Sequence, residues 1–198
     1  MIKFTDLVSE QPYIEFVKKY NKAIKSNQKN IEAISIASFD KEKNEVDSRY
    51  VNLKLINKED FIFFTNYDSP KSTAFKSHNQ ISALIYWPVI NTQIRMKAKI
   101  KKTTKEFNKN YFKKRDINKN ALAISSDQSK IIESYSSVIK RYENIIKTDD
   151  LHNCPDYWGG FSFTPFYFEF WEGKDSRLNK RNVYKKIDKT WKEYFLQP

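Results

Sequence analysis

The spacing of apolar residues along the chain separates predicted helices from predicted strands. An apolar stripe at helical spacing follows the helix-start sequence Ser9-Glu10-Gln11-Pro12; its members are Tyr13, Val17, Tyr20 and Ile24. Residues 1–30 are therefore predicted to form an N-terminal covering helix. Helical spacing returns over 104–113 and 128–147, and we assign the later helix to residues 126–148. The intervening stretch, Arg115 to Asp127, is predicted to be a loop.

Alternation of apolar and polar residues predicts strands in most of the remaining chain. The predicted strands are Ile31–Phe39, Ser48–Ile56, Phe61–Thr65, Ile81–Trp87, Thr92–Lys101, Phe161–Trp171, Val183–Ile187 and Trp191–Leu196. Neighbouring strands are mostly a tight turn apart, which favours an antiparallel barrel over a βαβ sheet. The predicted fold class is mainly β with flanking helices.

Composition is typical of a single globular domain spanning 1–198, because 39% of residues are hydrophobic and 16% are aromatic. The longest apolar run, Phe161–Trp171, is too short to cross a membrane, and no targeting leader is visible. One cysteine, Cys154, excludes an internal disulfide framework, and His78 and His152 offer no zinc-ligand spacing. We expect no metal, no membrane partner and a cytoplasmic location.

The formal net charge of +12 leaves two interpretations open. Nucleic acid is one partner that a strongly basic chain attracts. The other interpretation, which we favour, is a solvated lysine-rich surface, since only six of the 36 basic residues are arginines. Arginine matters here because its flat fork binds phosphate through two points, which lysine cannot reproduce.

Two places in the sequence suggest phosphate binding. Ser69-Pro70-Lys71 is typical of a helix start, where free backbone amides and a lysine would together favour an anion, although the same sequence often serves only as a cap. Arg49 and Lys54 lie on one predicted strand, but strict alternation places them on opposite faces unless the strand is bulged or the ligand wraps an edge. All three glycines lie near the C-terminus, at Trp158-Gly159-Gly160-Phe161 and at Gly173, which indicates close packing or unusual dihedral angles there.

Taken in order, these segments resemble the pyridoxamine 5′-phosphate oxidase family. The resemblance runs from about Ile31 through nearly the whole chain. Its motifs are Arg49-Tyr50-Val51-Asn52-Leu53-Lys54, Phe63-Phe64-Thr65-Asn66 with Ser69 and Lys71, Gln93, Tyr111 with Arg115, Gln128-Ser129, Trp158-Gly159-Gly160-Phe161, Glu169-Phe170-Trp171 and Arg177-Leu178-x-x-Arg181. It implies an FMN-binding split barrel, with flavin-phosphate motifs in residues 31–115 and the last motifs in residues 158–198.

The resemblance also implies a role for each matched residue. Arg49 and Lys71 would bind the FMN phosphate. The rest of the FMN site would comprise Val51, Leu53, Lys54, Phe64, Thr65, Gln93, Gln128, Ser129, Trp171 and Arg181, drawn from both subunits of a homodimer. The substrate would be held by Lys54, Tyr111, Arg115, Lys119, Arg177 and Asn179, of which Arg177 and Asn179 occupy the catalytic positions. Each of these residues also has an ordinary structural interpretation. Trp171 would be a core aromatic residue, Tyr111 would pack a helix against the core, and Gln128-Ser129 would be the start of a helix.

The implied activity is FMN-dependent oxidation of pyridoxamine or pyridoxine 5′-phosphate, giving pyridoxal 5′-phosphate and hydrogen peroxide. Three residues depart from the family pattern: Pro70 replaces a basic residue, Lys119 a serine, and Asn179 the histidine that flanks the substrate. The loop 117–124 also lacks the family's Gly and Trp, and no substrate-covering N-terminal arm is recognisable. Three alternatives therefore stay open: a related FMN oxidase with another substrate, as in phenazine biosynthesis, a non-catalytic flavin-binding split barrel, or a nucleic-acid-binding β-barrel.

Overall fold

The computed structural model describes all residues, 1–198, as nine strands and five α-helices. The strands are β1 (Lys3–Thr5), β2 (Ala33–Asp40), β3 (Glu45–Asn57), β4 (Asp60–Asn66), β5 (Gln80–Trp87), β6 (Thr92–Lys102), β7 (Trp158–Glu172), β8 (Lys180–Ile187) and β9 (Thr190–Leu196). The helices are α1 (Gln11–Lys25), α2 (Pro70–Ser77), α3 (Lys105–Lys113), α4 (Ile117–Ser125) and α5 (Tyr135–Thr148). A 3₁₀ turn, Pro88–Ile90, joins β5 to β6.

The strands form a barrel in which β4 closes the ring. The sheet runs β1-β3-β2-β5-β6-β7-β8-β9, and β4 pairs with both β3 and β7. Six strands, β2 to β7, therefore enclose the core, while β8 and β9 extend the sheet beyond it. Every pair is antiparallel except β1 with β3. The predicted antiparallel barrel is confirmed, and no helix of the chain has both the length and the apolarity to cross a membrane.

Helix α1 covers the barrel core, as predicted, but with a slightly different face. Tyr13 and Tyr20 are buried, whereas Ile24 is exposed, and the other buried apolar positions are Pro12, Phe16 and Ala23. The ring of Phe16 packs edge-on against Phe61 of β4, at 5.2 Å between ring centres. The helix thus joins a continuous core of 27 buried residues.

Two predictions about the segment between β6 and β7 are wrong. The predicted loop contains α4, which Asp116 caps by accepting a hydrogen bond from the Lys119 amide at 3.1 Å. The predicted helix over 126–148 begins only at Tyr135, because Ser134 caps α5 and Ser129 adopts a left-handed conformation with φ of 70°. Residues 126–134 therefore form a connection with a turn at Gln128–Ser129, and this connection passes beside β4.

Close packing, not an unusual dihedral angle, explains the two glycines near the start of β7. Neither Gly159 nor Gly160 has a positive φ. A Cβ atom at Gly160 would lie 2.6 Å from Oγ1 of Thr103, and one at Gly159 would collide with the side chains of Tyr67 and Asn108. Of the two explanations offered by the sequence, the close approach is the correct one.

Candidate functional site

A cavity of about 760 Å³ opens between β3, β4, α2, α3, α4 and the 126–134 connection. Its volume lies within the range of small-molecule and cofactor sites. Eleven of the residues singled out in the sequence line it: Arg49, Val51, Lys54, Phe64, Thr65, Lys71, Tyr111, Arg115, Lys119, Gln128 and Ser129. The fold thus brings together residues that lie up to 80 positions apart in the sequence.

Arg49 and Lys71 form one cationic group in this cavity. Arg49 donates to the Ile36 carbonyl (3.1 Å), to Ser38 Oγ (2.8 Å) and to the Asp47 carboxylate (2.6 Å). Its hydrogen bond holds the pKa of Asp47 below its ordinary value. These three contacts fix the guanidinium on β3 before any ligand arrives.

Lys71 is a buried cation without a carboxylate of its own. Its side chain, 7% exposed, donates to Oγ1 of Thr65 (3.2 Å) and Oγ of Ser69 (3.1 Å), which are neutral hydroxyls. Burial, and then repulsion by Arg49, lower the pKa of Lys71 to about 8. Ser69 precedes α2 as predicted, so Lys71 lies in the first turn of that helix, where the backbone also favours an anion.

The cavity takes in residues from both faces of β3, Arg49 and Val51 from one and Tyr50 and Asn52 from the other, and the strand is bulged at Lys54. Leu53 pairs with Phe63, but Leu55 pairs with Ile62, so Lys54 is an extra residue on β3. The sequence predicted opposite faces for the two cations unless the strand is bulged or the ligand wraps an edge. The structure contains the bulge, and the cavity also extends around the strand.

Lys54, Arg115 and Lys119 form a second cationic group. Arg115 donates to the Lys119 carbonyl (2.7 Å) and to Oδ1 of Asn120 (3.1 Å). Burial lowers the pKa of Lys54; Glu32, 3.8 Å away, opposes that shift, and the charges of Lys119 and Arg115 add to it. The positive charges of Lys54, Arg115 and Lys119 thus repel one another across the cavity. An anion bound among them would relieve this repulsion.

Stacked aromatic rings form one wall near the second cationic group. The ring centres of Phe64 and Tyr111 lie 3.8 Å apart at an interplanar angle of 14°, and Trp158 lies nearly parallel to Phe64 with its ring centre 5.1 Å away. The guanidinium of Arg115 lies 5.1 Å from the Trp158 ring, within the range of a cation–π contact. Burial raises the pKa of Tyr111, so its hydroxyl stays protonated at neutral pH.

Gln128 is held in place by β4, not by a helix. Its side-chain oxygen accepts from Oγ1 of Thr65 (3.0 Å) and from the Asn66 amide (3.3 Å). Thr65 therefore contacts both Lys71 and Gln128. The alternative interpretation of Gln128-Ser129 as a helix start is wrong, since α5 begins six residues after Ser129.

The remaining predicted site residues lie away from the cavity. Gln93, Trp171 and Arg181 are direct cross-strand partners on β6, β7 and β8. Arg177 and Asn179 lie in the loop before β8; Arg177 is exposed with φ of 63°, and Asn179 Oδ1 accepts from the Lys174 amide at 3.0 Å. Leu53 is fully buried in the core, so its side chain does not line the cavity.

Sequence reasoning missed the acidic members of the cavity, Glu32, Asp47 and Asp116. Each lies beside a cation or caps a helix, and a charged residue in an isolated sequence carries no signal of such a role. With five cations and three carboxylates among its lining residues, the cavity retains a formal charge of +2.

Two family models match the chain. The model described as "Pyridoxamine 5′-phosphate oxidase" matches residues 20–148, and the one described as "Pyridoxine 5′-phosphate oxidase C-terminal dimerisation region" matches residues 158–198. Curated relatives named pyridoxine/pyridoxamine 5′-phosphate oxidase include one from Coxiella burnetii, 34% identical over 194 residues and covering 98% of both chains. Another, from Haemophilus influenzae, is 33% identical over 190 residues, covering 96% of this chain and 90% of the relative.

Solved structures share the fold at lower identity. PhzG from Burkholderia lata 383, in complex with tetrahydrophenazine-1-carboxylic acid, superposes with a TM-score of 0.88 at 20% identity, covering 95% of this chain and 93% of PhzG. A pyridoxamine 5′-phosphate oxidase-related, FMN-binding protein from Nostoc punctiforme PCC 73102 gives a TM-score of 0.79 at 12% identity, covering 96% and 99%. These likenesses establish a shared architecture.

Proposed function

Because the chain belongs to the pyridoxamine 5′-phosphate oxidase family, we propose that it binds FMN and oxidises pyridoxamine or pyridoxine 5′-phosphate to pyridoxal 5′-phosphate, with O₂ as the electron acceptor. The observation that carries this proposal is one cavity holding two cationic groups and a stacked aromatic wall. FMN and a vitamer phosphate each have a phosphate and a flat ring. The cavity offers a match for both.

The first cationic group fits the phosphate of FMN. Lys71 donates to hydroxyls and to no carboxylate, and the charge of Asp47 only partly offsets the burial and the repulsion by Arg49 that lower the pKa of Lys71. A phosphate dianion would balance the lysine's charge, and Arg49, already oriented by Asp47 and Ser38, would add charge-assisted hydrogen bonds. Val51 and Thr65 line the wall between this group and the interior of the cavity.

The second cationic group fits the phosphate of the substrate. Lys54, Arg115 and Lys119 would surround this phosphate. The hydroxyl of Tyr111 would donate a hydrogen bond to one of its oxygens. Lys119 adds a full charge where the family has a neutral serine. The substrate phosphate is therefore expected to bind at least as strongly here as in a site with serine, and with a steeper dependence on ionic strength.

When bound, FMN supplies the acceptor for a hydride from the C4′ carbon of the vitamer, and its reoxidation by O₂ yields hydrogen peroxide. The protein's task is to hold the reacting carbon against the flavin ring and to keep both phosphates in place. A strong general base is not required of the side chains, which agrees with a cavity that contains no histidine.

We further propose that a homodimer completes the site. Gln93, Trp171, Arg177, Asn179 and Arg181 lie outside the protomer's own cavity. The sheet face that carries Gln93, Trp171 and Arg181 also exposes Leu84 and Tyr86, the latter 53% accessible. The match of residues 158–198 to a dimerisation region supports contact through this part of the chain, which would bring the second set of residues to the partner's cavity.

A second candidate is a related FMN oxidase with a different substrate. The specific observation in its favour is Asn179, whose side chain is engaged with the Lys174 amide and offers no ring to flank a pyridine. The cluster of three cations argues in the other direction, because it suits a phosphate dianion better than a singly charged carboxylate.

The deciding experiment is spectroscopic. The purified protein, supplied with FMN, should show a flavin absorption spectrum, and anaerobic addition of pyridoxamine 5′-phosphate should bleach it; readmitting air should restore the spectrum and release peroxide. Bleaching by a reduced tricyclic carboxylic acid instead would favour the second candidate. A protein that takes up no FMN would refute both.

A further inference from the structure

Glu169 is a buried carboxylate on the outer face of the sheet. It is 1% exposed, although it lies on the same face of β7 as Trp171, next to residues that remain accessible. Opposite it stand Arg95 on β6 and Val183 on β8. Burying an unpaired carboxylate costs several kcal/mol, so its partners must explain its presence.

Both oxygens of Glu169 accept hydrogen bonds, and both lie beside an arginine. Oε1 accepts from Nε (2.9 Å) and lies 2.8 Å from Nη2 of Arg181, a two-point contact with the edge of the guanidinium. Oε2 accepts from Nη1 of Arg95 (3.1 Å) and from the hydroxyl of Tyr167 (3.0 Å). Burial, followed by this hydrogen bond to Glu169, raises the pKa of Tyr167 to about 12, so Tyr167 remains a donor.

The guanidinium of Arg181 is thereby held on two sides. Its Nη1 donates to the Gln197 carbonyl at 3.1 Å, while Nε and Nη2 face Glu169. The side chain is still 26% exposed, and it stands directly opposite Trp171. Two guanidiniums share one carboxylate, so the cluster keeps a formal charge of +1 and free N–H donors that point away from Glu169.

We propose that Glu169 is a positioning residue: its carboxylate holds the Arg181 guanidinium beside Trp171 in the orientation in which Arg181 contacts FMN. This inference rests on the proposed function, in which Arg181 belongs to the FMN site of the dimer. Glu169 itself does not touch the ligand. Its effect on FMN passes through Arg181.

Glu169→Gln tests the proposal with little change in side-chain shape. Whichever way the amide turns, its NH₂ group faces a guanidinium donor, because both carboxylate oxygens accept from arginine. Glu172→Gln is the matched control on the same strand: it breaks the 2.9 Å ion pair with the buried Lys19 and does not touch Arg181. The readouts are the FMN dissociation constant of the apoprotein, from flavin fluorescence, and the thermal midpoint.

We expect E169Q to weaken FMN binding by about tenfold, the scale of a lost charge-assisted contact, and E172Q to leave it within about twofold. In an Arg181→Ala background, E169Q should cause no further weakening, since the residue it positions is gone. Wild-type affinity in E169Q, or an equal loss with and without Arg181, would overturn the proposal, because a general structural role predicts the second result.

If E169Q is too unstable to purify, Glu169→Asp replaces it, because the shorter side chain cannot span Arg95 and Arg181 together. The same dependence on Arg181 is expected. Failure of the proposed function is distinguishable: the wild-type protein and E172Q would then bind no FMN either, whereas failure of this inference leaves both binding normally.

Discussion

Replacing Lys71 by Met should stabilise the FMN-free protein and lower its affinity for FMN. Methionine keeps an unbranched side chain of similar length and removes the charge. Without ligand, the ammonium group is buried among hydroxyls, and its pKa of about 8 against an ordinary 10.5 means that holding the proton at pH 7 costs about 3 kcal/mol. The lost hydrogen bonds to Thr65 and Ser69, worth about 1 kcal/mol each, offset part of that gain. We expect a net gain of about 1–2 kcal/mol.

The pH dependence follows from the sign of the pKa change. Because the folded pKa is lower than the unfolded one, the unfolded chain binds more protons between about pH 8 and 10.5, and wild-type stability from this group rises over that range. The advantage of K71M should therefore be full below pH 8 and fade by about pH 10.5. With FMN bound, the wild-type protein should be more stable than K71M. The substitution removes a contact to the phosphate worth about 1.5–3 kcal/mol, so the affinity for FMN falls by tenfold or more.

Thermal unfolding at fixed protein concentration, with and without FMN at pH 7 and pH 10, measures all of these effects. A net gain of 1–2 kcal/mol corresponds to a rise of roughly 2–8 °C for a chain of this size. Lys76→Met is the control, since Lys76 lies on the same helix but is exposed. Lower stability of apo K71M at pH 7, or unchanged FMN affinity, would refute the assignment of Lys71 as an unbalanced phosphate-binding cation.

Three other substitutions test separate parts of the site. Arg49→Ala should weaken FMN by tenfold or more in a fluorescence titration, through the loss of charge-assisted contacts worth about 1.5–3 kcal/mol; unchanged binding would remove Arg49 from the site. Gly159→Ala should cost about 1–3 kcal/mol in chemical denaturation, because the added methyl collides with Tyr67 and Asn108; a neutral result would mean that these side chains move aside freely. Asn179→His should raise peroxide release with pyridoxamine 5′-phosphate, and no gain would point to another substrate.

The barrel was predictable because its strands and α1 satisfy their pattern locally. In β6 the residues Ile94, Met96, Ala98 and Ile100 are buried while Arg95 and Lys97 are exposed, as alternation requires. The ends of β3 and β7 extend beyond the prediction. β3 begins in the polar stretch at Glu45, and β7 begins at Trp158, where two glycines weaken the strand pattern. β1, only three residues long, is held by parallel pairing with β3, a contact that no local pattern announces.

Helix α4 was not predicted because its residue Asn120 is stabilised by tertiary contacts, which the local sequence does not show. Asn120 is fully buried, and its amide donates to the carbonyls of Phe112 (3.0 Å) and Leu151 (2.9 Å) while its oxygen accepts from Arg115. In isolation such a residue favours a turn. The prediction for residues 126–134 failed for the opposite reason: Gln128 has adequate helix propensity, but it lies in a turn closed by a hydrogen bond from the Lys130 amide to the Asp127 carbonyl, and its side chain is bonded to β4.

The bulge at Lys54 shows why site residues can be recognised in a sequence before their geometry can be derived. Periodicity alone directs Arg49 and Lys54 to opposite faces of β3, and only a bulge or a cavity that wraps the strand edge lets both belong to one site. The structure has both features, so that a single strand serves the two cationic groups, Arg49 beside Lys71 and Lys54 facing Arg115 and Lys119. Deleting Lys54 would therefore remove the bulge and one cation of the second group while leaving Arg49 in place. FMN binding should survive such a deletion better than turnover of a phosphorylated substrate.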